Sequence, residues 1–548
     1  MITKNKILVF ITVLSFTSSA QQLFYPLDHG ENAFIEMYLN DTKSNSHTSI
    51  KPYLYQYVKQ QINIDSIDST VTDTNRLYLL PTSTWAKFLR WSENKLMDED
   101  LVYINSGGLK LRANLLLGLQ AGRESYKEES FWTNTRGYWL SGQVGKNVFF
   151  ESAFYENQAK LLPYINSNAI ENFVMPGQGR YKVFKENIGA DWAFASGAVG
   201  YKANKYFTAY LGHGKNFFGD GYRSLLLSDN SFNYPYFKFE TTVWNIKYVN
   251  LWAQLNHIGF QDAADRNWTQ KYLSLHYLSW NITRKLNLSL YESISWLKAD
   301  KGFDWQYANP VIFMRPVEWQ NGSADNVLLG SSFKYKMSNK FLVYGQAVLD
   351  DLNFAELKRA NGYWGNKYGG QLGIKAYSLL DIYGLSAQAE YNIVRPFTYT
   401  HFDSTNAHVH MNEPLAHPLG ANFQEAVAFL RYKYRRHKFT VKFVWSEIGK
   451  DTAQVNHGGN VFYGYNTNRV DINGDGGLTG YSVGQGDLNN LNFLDFRYAF
   501  LINPRARLYF EIGIIDRTLS RQTLPNDQTR FLYLGLRTTL NNFYYDSF

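Results

Sequence analysis

The amino-acid sequence predicts an all-β fold: a transmembrane, outer-membrane-type β-barrel of about 18 antiparallel strands with a small N-terminal α-helical element. Three observations predict it. An export signal stands at the N-terminus, apolar and polar side chains alternate with period two along most of the chain, and short turns alternate with long polar loops. After the signal, no apolar run approaches the roughly 20 residues that a membrane-spanning helix needs.

The composition agrees with strands that have one face in lipid and the other in water. The chain of 548 residues is 17% aromatic, yet its mean hydropathy is −0.36, which is polar overall. The absence of cysteine excludes disulfides, cysteine catalysis, thiolate metal sites and a lipid anchor on cysteine. The formal charge of +8 favours a membrane surface or an acidic glycan over nucleic acid as partner, or simply reflects basic groups that line a wet lumen.

The N-terminal residues have the three parts of a secretory signal. Lys4 and Lys6 precede an apolar run from Ile7 to Leu14, and Ser18-Ser19-Ala20 supplies the small residues of a cleavage site. We therefore predict a signal peptide over residues 1–20 and a location in the outer membrane of a Gram-negative bacterium.

Residues 21–108 lack the strand pattern and are predicted to form a helical plug in the periplasm. Thr82 or Ser83 can cap a helix. The apolar residues that follow at helical spacing are Trp85, Phe88, Leu89 and Leu96.

From Leu109 the period changes to two, so the barrel is predicted over residues 109–548. Alternation ends near Leu540 and leaves a short tail. A first strand starts at Leu109, and the others are predicted near residues 136–145, 147–157, 189–201, 205–213, 239–248, 250–260, 270–281, 285–297, 327–337, 340–350, 366–377, 382–394, 424–436, 438–447, 491–502, 506–516 and 529–540.

The joins between strands support antiparallel neighbours. Long polar segments, such as residues 395–423 and 448–490, alternate with short ones, an asymmetry that is typical of barrels and that argues against a soluble β-sandwich. The short joins are Gly145-Lys146-Asn147, Asn281-Ile282-Thr283-Arg284, Met337-Ser338-Asn339-Lys340 and Tyr434-Arg435-Arg436-His437.

One loop resembles the first half of a calcium-binding loop. Asp471, Asn473 and Asp475 place oxygen ligands at alternate positions before glycine, which suits a hard cation. Position 12 of the pattern is Ser482, where a bidentate Glu is expected. Possible Ca²⁺ binding at 471–482 is therefore set against a glycine-rich surface turn, which needs the same residues.

A second cluster, His408, His410, Glu413 and His417, has ligand types that suit zinc. Two prolines interrupt the segment, so that no helix can place the four side chains on one face, and a structural loop is the favoured interpretation. We name no catalytic residue and expect no enzyme. A rim-facing hydrolase is the alternative that spacing alone leaves open.

Aromatic and basic residues interleave in residues 217–224 and 234–238. Tyr222, Tyr234 and Tyr236 could stack on sugar rings, and Arg223 could pair with an acidic polymer. Aromatic packing within an ordered loop is the equally open alternative.

Four segments resemble the Wzi-like capsule-assembly outer-membrane protein family, most closely the RemB-like gliding-motility proteins of Bacteroidetes. The resemblance spreads over residues 210–430, and the overall plan fits from Ser49 to the C-terminus. The segments are Gly219-Asp220-Gly221-Tyr222-Arg223-Ser224-Leu225-Leu226-Leu227-Ser228-Asp229-Asn230 with Tyr234-Pro235-Tyr236, Asn309-Pro310-Val311-Ile312-Phe313-Met314-Arg315-Pro316 with Gly322-Ser323-Ala324-Asp325-Asn326, Tyr363-Trp364-Gly365-Asn366-Lys367-Tyr368-Gly369, and Asn412-Glu413-Pro414-Leu415-Ala416-His417-Pro418-Leu419-Gly420-Ala421-Asn422-Phe423.

The resemblance implies an 18-stranded barrel with a small periplasmic helical element and no catalytic residues. It implies a surface lectin that holds capsular polysaccharide or, for the gliding branch, a protein associated with cell-surface motility and type IX secretion. The aspartate-rich segment near Asp471 has no counterpart in the family pattern. The predicted glycan- or partner-binding residues are Tyr222, Arg223, Tyr234, Tyr236, Arg315 and Trp364.

The sequence thus predicts a non-enzymatic outer-membrane barrel that acts in surface polysaccharide binding or assembly, or as an accessory subunit of the gliding and secretion apparatus. An outer-membrane transport channel is the main alternative. Expected partners are outer-membrane lipid and lipopolysaccharide, surface polysaccharide and other outer-membrane secretion or gliding proteins, but no nucleic acid.

Overall fold

The protein folds into one closed antiparallel barrel of 18 strands, as predicted. The computed structural model describes residues 23–55, 58, 92–184, 189–259, 268–322, 325–452 and 455–548. We number the barrel strands in chain order: β1 Leu109–Glu124, β2 Glu129–Val144, β3 Val148–Lys160, β4 Gly189–Lys202, β5 Phe207–Gly214, β6 Tyr234–Val243, β7 Ile246–His257, β8 Thr269–Asn281, β9 Leu286–Leu297, β10 Asn326–Lys336, β11 Phe341–Asp351, β12 Lys367–Tyr377, β13 Leu385–Val394, β14 Phe423–Tyr434, β15 His437–Lys450, β16 Asp487–Asn503, β17 Leu508–Arg521 and β18 Asp527–Thr538.

The barrel closes between its first and last strands. Phe531 of β18 lies opposite Glu124 of β1, and the antiparallel register continues to Arg537 opposite Gly118. Nearer the start of β1, a short strand, Val102–Ser106, pairs with residues 109–113 and forms a hairpin ahead of the first barrel strand. Closure leaves the sheet no free lateral edge, which a strand structure in lipid requires.

The strand predictions are confirmed except at β6 and β7. The strand predicted near 239–248 spans a turn at Trp244, whose φ is 53°, and β6 starts earlier, at Tyr234. Pro235 and the neighbouring aromatic residues look like a loop in sequence. In the sheet they alternate between the two faces, with Tyr234 and Tyr236 buried and Pro235 exposed.

Helical segments are short. None of the helices in the described parts of the chain is long and apolar enough to cross a membrane. They are α1 His29–Leu39, α2 Pro163–Asn172, α3 Lys298–Lys301, α4 Met314–Gln320 and α5 Phe354–Arg359, with 3₁₀ turns at Trp305–Ala308, Leu379–Asp381 and Ser404–Asn406.

Part of the predicted N-terminal organisation lies outside the described residues. This holds for the signal peptide at 1–20 and for most of the predicted helix, including Thr82, Ser83, Trp85, Phe88 and Leu89. Residues 92–97 are helical, and Leu96 near the end of that segment is exposed.

The two ends of the barrel differ as predicted. Tight joins lie at one end, for example between β2 and β3, β10 and β11, and β14 and β15. Loops at the other end are mostly long, and the longest runs from residue 451 to 486. We call these the short-turn end and the long-loop end.

Alternation along each strand separates the lumen from the outer wall. In β18, Phe531 and Tyr533 are buried inside, whereas Leu532 and Leu534 are exposed outside. The apolar outer residues form the surface that lipid covers in a membrane barrel.

Replacing Leu534 by Arg tests the lipid-facing assignment. We expect a loss of about 2–4 kcal/mol in unfolding free energy, because a lipid-facing cation near the membrane midplane is poorly solvated. Leu380→Arg is the matched control, since Leu380 is exposed in a turn at the short-turn end and surface substitutions change stability by about 0.5 kcal/mol or less. Denaturant titration in lipid vesicles measures both, and equal losses would contradict the assignment.

Candidate functional site

The lumen is filled by five segments of the chain. They are the N-terminal residues 23–55, residues 161–178 of the loop between β3 and β4, the loop between β5 and β6, the loop between β13 and β14, and the C-terminal tail 539–548. In the β5–β6 loop every residue from Lys215 to Ser231 is buried. A barrel of this size is too wide for wall side chains alone to fill, so these segments supply the interior packing.

A buried guanidinium joins two of these segments to the wall. Arg223, in the β5–β6 loop, lies 2.8 Å from Glu425 of β14 and 3.2 Å from Asp546 of the tail. All three side chains have no exposed surface. His417, from the β13–β14 loop, is hydrogen-bonded to Glu425 at 2.8 Å. The cluster therefore holds two lumen loops, the wall and the tail in one arrangement.

Asp546 has two more partners. The Tyr222 hydroxyl donates to it at 2.8 Å, and Lys442 of β15 lies 3.0 Å away. Burial by itself raises the pKa of Asp546, but the Arg223 guanidinium and the Lys442 ammonium hold that pKa well below its usual range. Asp546 is therefore ionised inside the lumen at neutral pH.

A second ion cluster fixes the N-terminal segment. Glu36 of α1 lies 2.9 Å from Lys51 and 2.5 Å from Lys375 of β12, and the Tyr53 hydroxyl donates to it at 2.9 Å. Although burial raises the pKa of Glu36, the two lysines hold it well below its usual range. Both wall and segment thus contribute cations to one carboxylate.

A cavity of about 310 Å³ remains between the filling and the wall. Charged pairs line it, including Arg497 with Asp495 at 2.7 Å and Arg537 with Glu511 at 3.9 Å. Aromatic rings such as Tyr533 complete the lining. A space of this volume suits a small solute rather than a polymer.

Four of the predicted glycan-binding residues lie inside the lumen. Tyr222, Arg223, Tyr234 and Tyr236 are each at most 7% exposed. The aromatic rings pack against other lumen side chains, for example Tyr222 against Phe429 at 4.8 Å between ring centroids. Their faces are therefore occupied by protein.

The other two predicted residues lie elsewhere and apart. Arg315 is on α4, outside the lumen, where it pairs with Glu318. Trp364 lies at the long-loop end, three residues before β12.

Trp364 belongs to what we call the rim cluster, made by Trp364, Lys367, Tyr465 and Arg469. The Arg469 guanidinium lies 4.3 Å from the Trp364 ring centroid, and the Tyr465 ring centroid is 4.9 Å away. Lys367 lies 4.4 Å from the Tyr465 ring. The tyrosine and arginine come from the long β15–β16 loop, a pairing that no local sequence signal indicates.

In the rim cluster Trp364 and Tyr465 are half-buried and Lys367 is buried, whereas two rings near it are exposed at the long-loop end. Phe402 and Tyr463 belong to neighbouring loops, and the Tyr465 backbone N–H donates to the His401 carbonyl. Aromatic faces with basic groups between them can stack on sugars and pair with acidic substituents.

The calcium-type segment forms a network of side-chain-to-backbone bonds. Asp471 accepts from the backbone N–H groups of Asp475 and Gly477 at 2.9 and 3.3 Å. Asp475 accepts from Leu478 N–H at 2.8 Å, and Asn473 donates to Thr479 at 2.9 Å. Calcium binding at 471–482 stays a prediction.

The histidine-rich segment lies in the lumen, where its members contact different partners. His408 is hydrogen-bonded to the Leu226 carbonyl at 3.1 Å and His410 to the Asn233 carbonyl at 3.2 Å. Glu413 accepts from Gly177 N–H at 2.6 Å. In the described chain no three His, Cys, Asp or Glu side chains group as metal ligands.

Sequence reasoning passed over one G-x-S-x-G match at residues 480–484. Ser482 in this match lies in an irregular loop, with neither a strand directly before it nor a helix after it. A nucleophile elbow needs that strand–turn–helix context, so the match does not form one.

Comparison with known proteins supports the fold. No protein-family model matches this sequence, and no curated protein matches it significantly. Among solved structures, the chain is similar to Wzi, an outer-membrane protein involved in group 1 capsule assembly in Escherichia coli and described as a carbohydrate-binding β-barrel. The identity is 11% and the TM-score 0.52, over 94% of this chain and 99% of that one.

Another outer-membrane protein of known structure is a weaker match. OprD from Pseudomonas aeruginosa matches with 12% identity and a TM-score of 0.39, over 81% of this chain and 96% of that one. At 11% identity the likeness to Wzi shows the fold alone. The chain has a Wzi-like outer-membrane barrel fold, and the closer likeness to RemB-like proteins stays a proposal.

Replacing Arg223 by Leu tests the buried cluster. The change leaves Glu425 and Asp546 buried without their cation, so we expect a loss of about 3–5 kcal/mol in unfolding free energy. Lys340→Ala is the control: its pair with Asp381 is exposed, and such pairs contribute about 0–1 kcal/mol. Denaturant titration of the folded barrel compares the two variants, and similar losses would show that the cluster does not hold the filling.

Proposed function

We propose that this chain is a non-enzymatic outer-membrane barrel that binds or helps to assemble cell-surface polysaccharide at its long-loop end. The observation that carries the proposal is the rim cluster above a lumen filled by the chain itself. Because Arg223 and Glu36 anchor that filling, the rim is the surface left for a polymer. The Wzi-like fold adds support.

The orientation is part of the proposal. Outer-membrane barrels have short turns in the periplasm and long loops outside the cell, so the rim cluster would face outward and the N-terminal region the periplasm. A polysaccharide would then reach Trp364 and Tyr465 without entering the lumen.

A narrower version of the proposal is an accessory subunit of the gliding and type IX secretion apparatus. Its support is the resemblance of residues 219–230 and 412–423 to the RemB-like branch. Gentle purification of the tagged chain, followed by identification of co-purifying proteins, separates the versions. Secretion or gliding components would favour the subunit, and an isolated barrel would favour polysaccharide binding.

Trp364→Ala tests glycan binding at the rim. We expect affinity for surface polysaccharide on a glycan array to fall about tenfold, the equivalent of one lost stacking contact. Trp244→Ala is the matched control, since Trp244 is exposed in a turn at the short-turn end. No binding by the folded wild type, or equal effects of the two variants, would remove the rim from the proposal.

Conductance in planar bilayers separates this function from a transport channel. We expect no steady open current from the wild-type barrel, because the ion clusters of Arg223 and Glu36 hold the filling in the lumen. An open porin in the same membrane is the positive control. A stable current from the wild type would favour the channel.

A further inference from the structure

The loop between β9 and β10 folds over the outer wall of the barrel, whereas the other long loops described above enter the lumen or form the rim. The strand register shows which wall it meets. Lys238 of β6 lies opposite Leu251 of β7, and both are fully buried on the lumen side. Trp252, the next residue, therefore points outward, opposite the exposed Phe237.

Residues 298–322 of this loop form what we call the outer lobe. The Trp252 indole N–H donates to the Tyr307 carbonyl at 3.1 Å, and the Ser274 hydroxyl donates to the same carbonyl at 2.7 Å. Asn250 donates to the Pro310 carbonyl at 2.9 Å. Outward-facing wall residues thus bind the lobe through its backbone.

Glu292 of β9 is the second attachment point. Its carboxylate accepts from the backbone N–H groups of Met314 and Arg315 at 2.9 and 2.8 Å, at the start of α4. A carboxylate at a helix start satisfies N–H groups that have no partner within the helix. Trp296 adds packing, with its ring centroid 5.0 Å from that of Tyr307.

The wall beneath the lobe carries a polar patch: Asn250, Ser274, His276 and Glu292. Register places Asn250 opposite His276, and His276 opposite Glu292. Glu292 is the seventh of the twelve residues of β9, so the patch lies at mid-height on the outer wall. Lipid in contact with it would leave polar groups without partners, at a cost of several kcal/mol each. The lobe supplies partners to Asn250, Ser274 and Glu292.

Large apolar side chains form one part of the lobe's outer surface, beside exposed polar residues such as Lys298 and Asn309. Trp305, Val311, Phe313 and Trp319 are 80%, 82%, 55% and 66% exposed. Below the lobe the wall continues with Leu290, which is 64% exposed. The apolar surface of the lobe is therefore continuous with the lipid-facing wall, and its tryptophans are of the type that membrane interfaces favour.

We propose that the outer lobe is embedded in the lipid layer, with lipid acyl chains covering the surface formed by Trp305, Val311, Phe313 and Trp319. The lobe covers the polar patch in place of lipid, and its own apolar surface contacts the lipid instead. We infer that lipid covers this surface because the surface is continuous with the lipid-facing wall and because the attachment points lie at mid-height. A second copy of the chain or another barrel on this face is the competing occupant.

Site-specific labelling tests the proposal, and the chain contains no cysteine that would interfere. Single variants Trp305→Cys, Val311→Cys and Trp319→Cys carry a small fluorophore in phosphatidylcholine vesicles. Quenching is measured with nitroxide-labelled acyl chains and with aqueous iodide. Leu290→Cys on the wall and Asn473→Cys in the exposed long loop are the lipid and water controls.

The three lobe labels should lose most of their fluorescence to the acyl-chain quencher and little to iodide, as the Leu290→Cys control does. Quenching by iodide, as for Asn473→Cys, would place the lobe in water and overturn the proposal. Protection of the labelled variants from both quenchers, with disulfide-linked dimers when the same variants are oxidised without the label, would put a second copy on the lobe and also overturn it. Neither outcome bears on glycan binding at the rim, so the two proposals fail separately.

Discussion

The shared guanidinium of Arg223 is the interaction on which the arrangement inside the barrel depends. One side chain from a loop meets a carboxylate of the wall at 2.8 Å and a carboxylate of the tail at 3.2 Å. Taking three charges out of water is unfavourable unless each finds partners. The observed placement of loop, wall and tail gives all three charges partners, and displacing any one of them would leave a buried charge unpaired.

Much of the wall could be predicted from sequence, because the signals that predict strands lie in neighbouring residues. Period-two alternation and tight turns are properties of neighbouring residues, so strand number and most strand bounds follow from them. The exception is instructive: Pro235 and its aromatic neighbours suggest a loop in sequence, yet they alternate across a strand that ends at the Trp244 turn. Turn signals fail where an aromatic residue adopts a positive φ.

The filling of the lumen could not be predicted in this way. Arg223 and Asp546 are separated by 323 residues, and Glu36 and Lys375 by 339. The sequence pattern is the same for tyrosines that stack on a sugar and for tyrosines that pack in a lumen. Only the burial of Tyr222, Tyr234 and Tyr236 shows that they pack in the lumen. At the rim, Trp364 was recognisable in sequence, but its partner Arg469 was not, because a different loop carries it.

The lumen loops and the outer lobe both supply partners for polar groups of the wall, the loops on its inner face and the lobe on its outer face. A wide barrel leaves an interior that wall side chains cannot fill, so three loops and both ends of the described chain enter it and bring their own counter-charges. On the outside, the polar patch around Glu292 needs partners that lipid does not have, and the outer lobe brings backbone donors and acceptors. Inward and outward loops thus both match polar groups of the wall. In the rim cluster Lys367 does so as well, since it lies 3.7 Å from Asp350 of β11, whereas Arg469 donates to carbonyls of its own loop. A substitution at Arg469 therefore disturbs the wall less than one at Lys367.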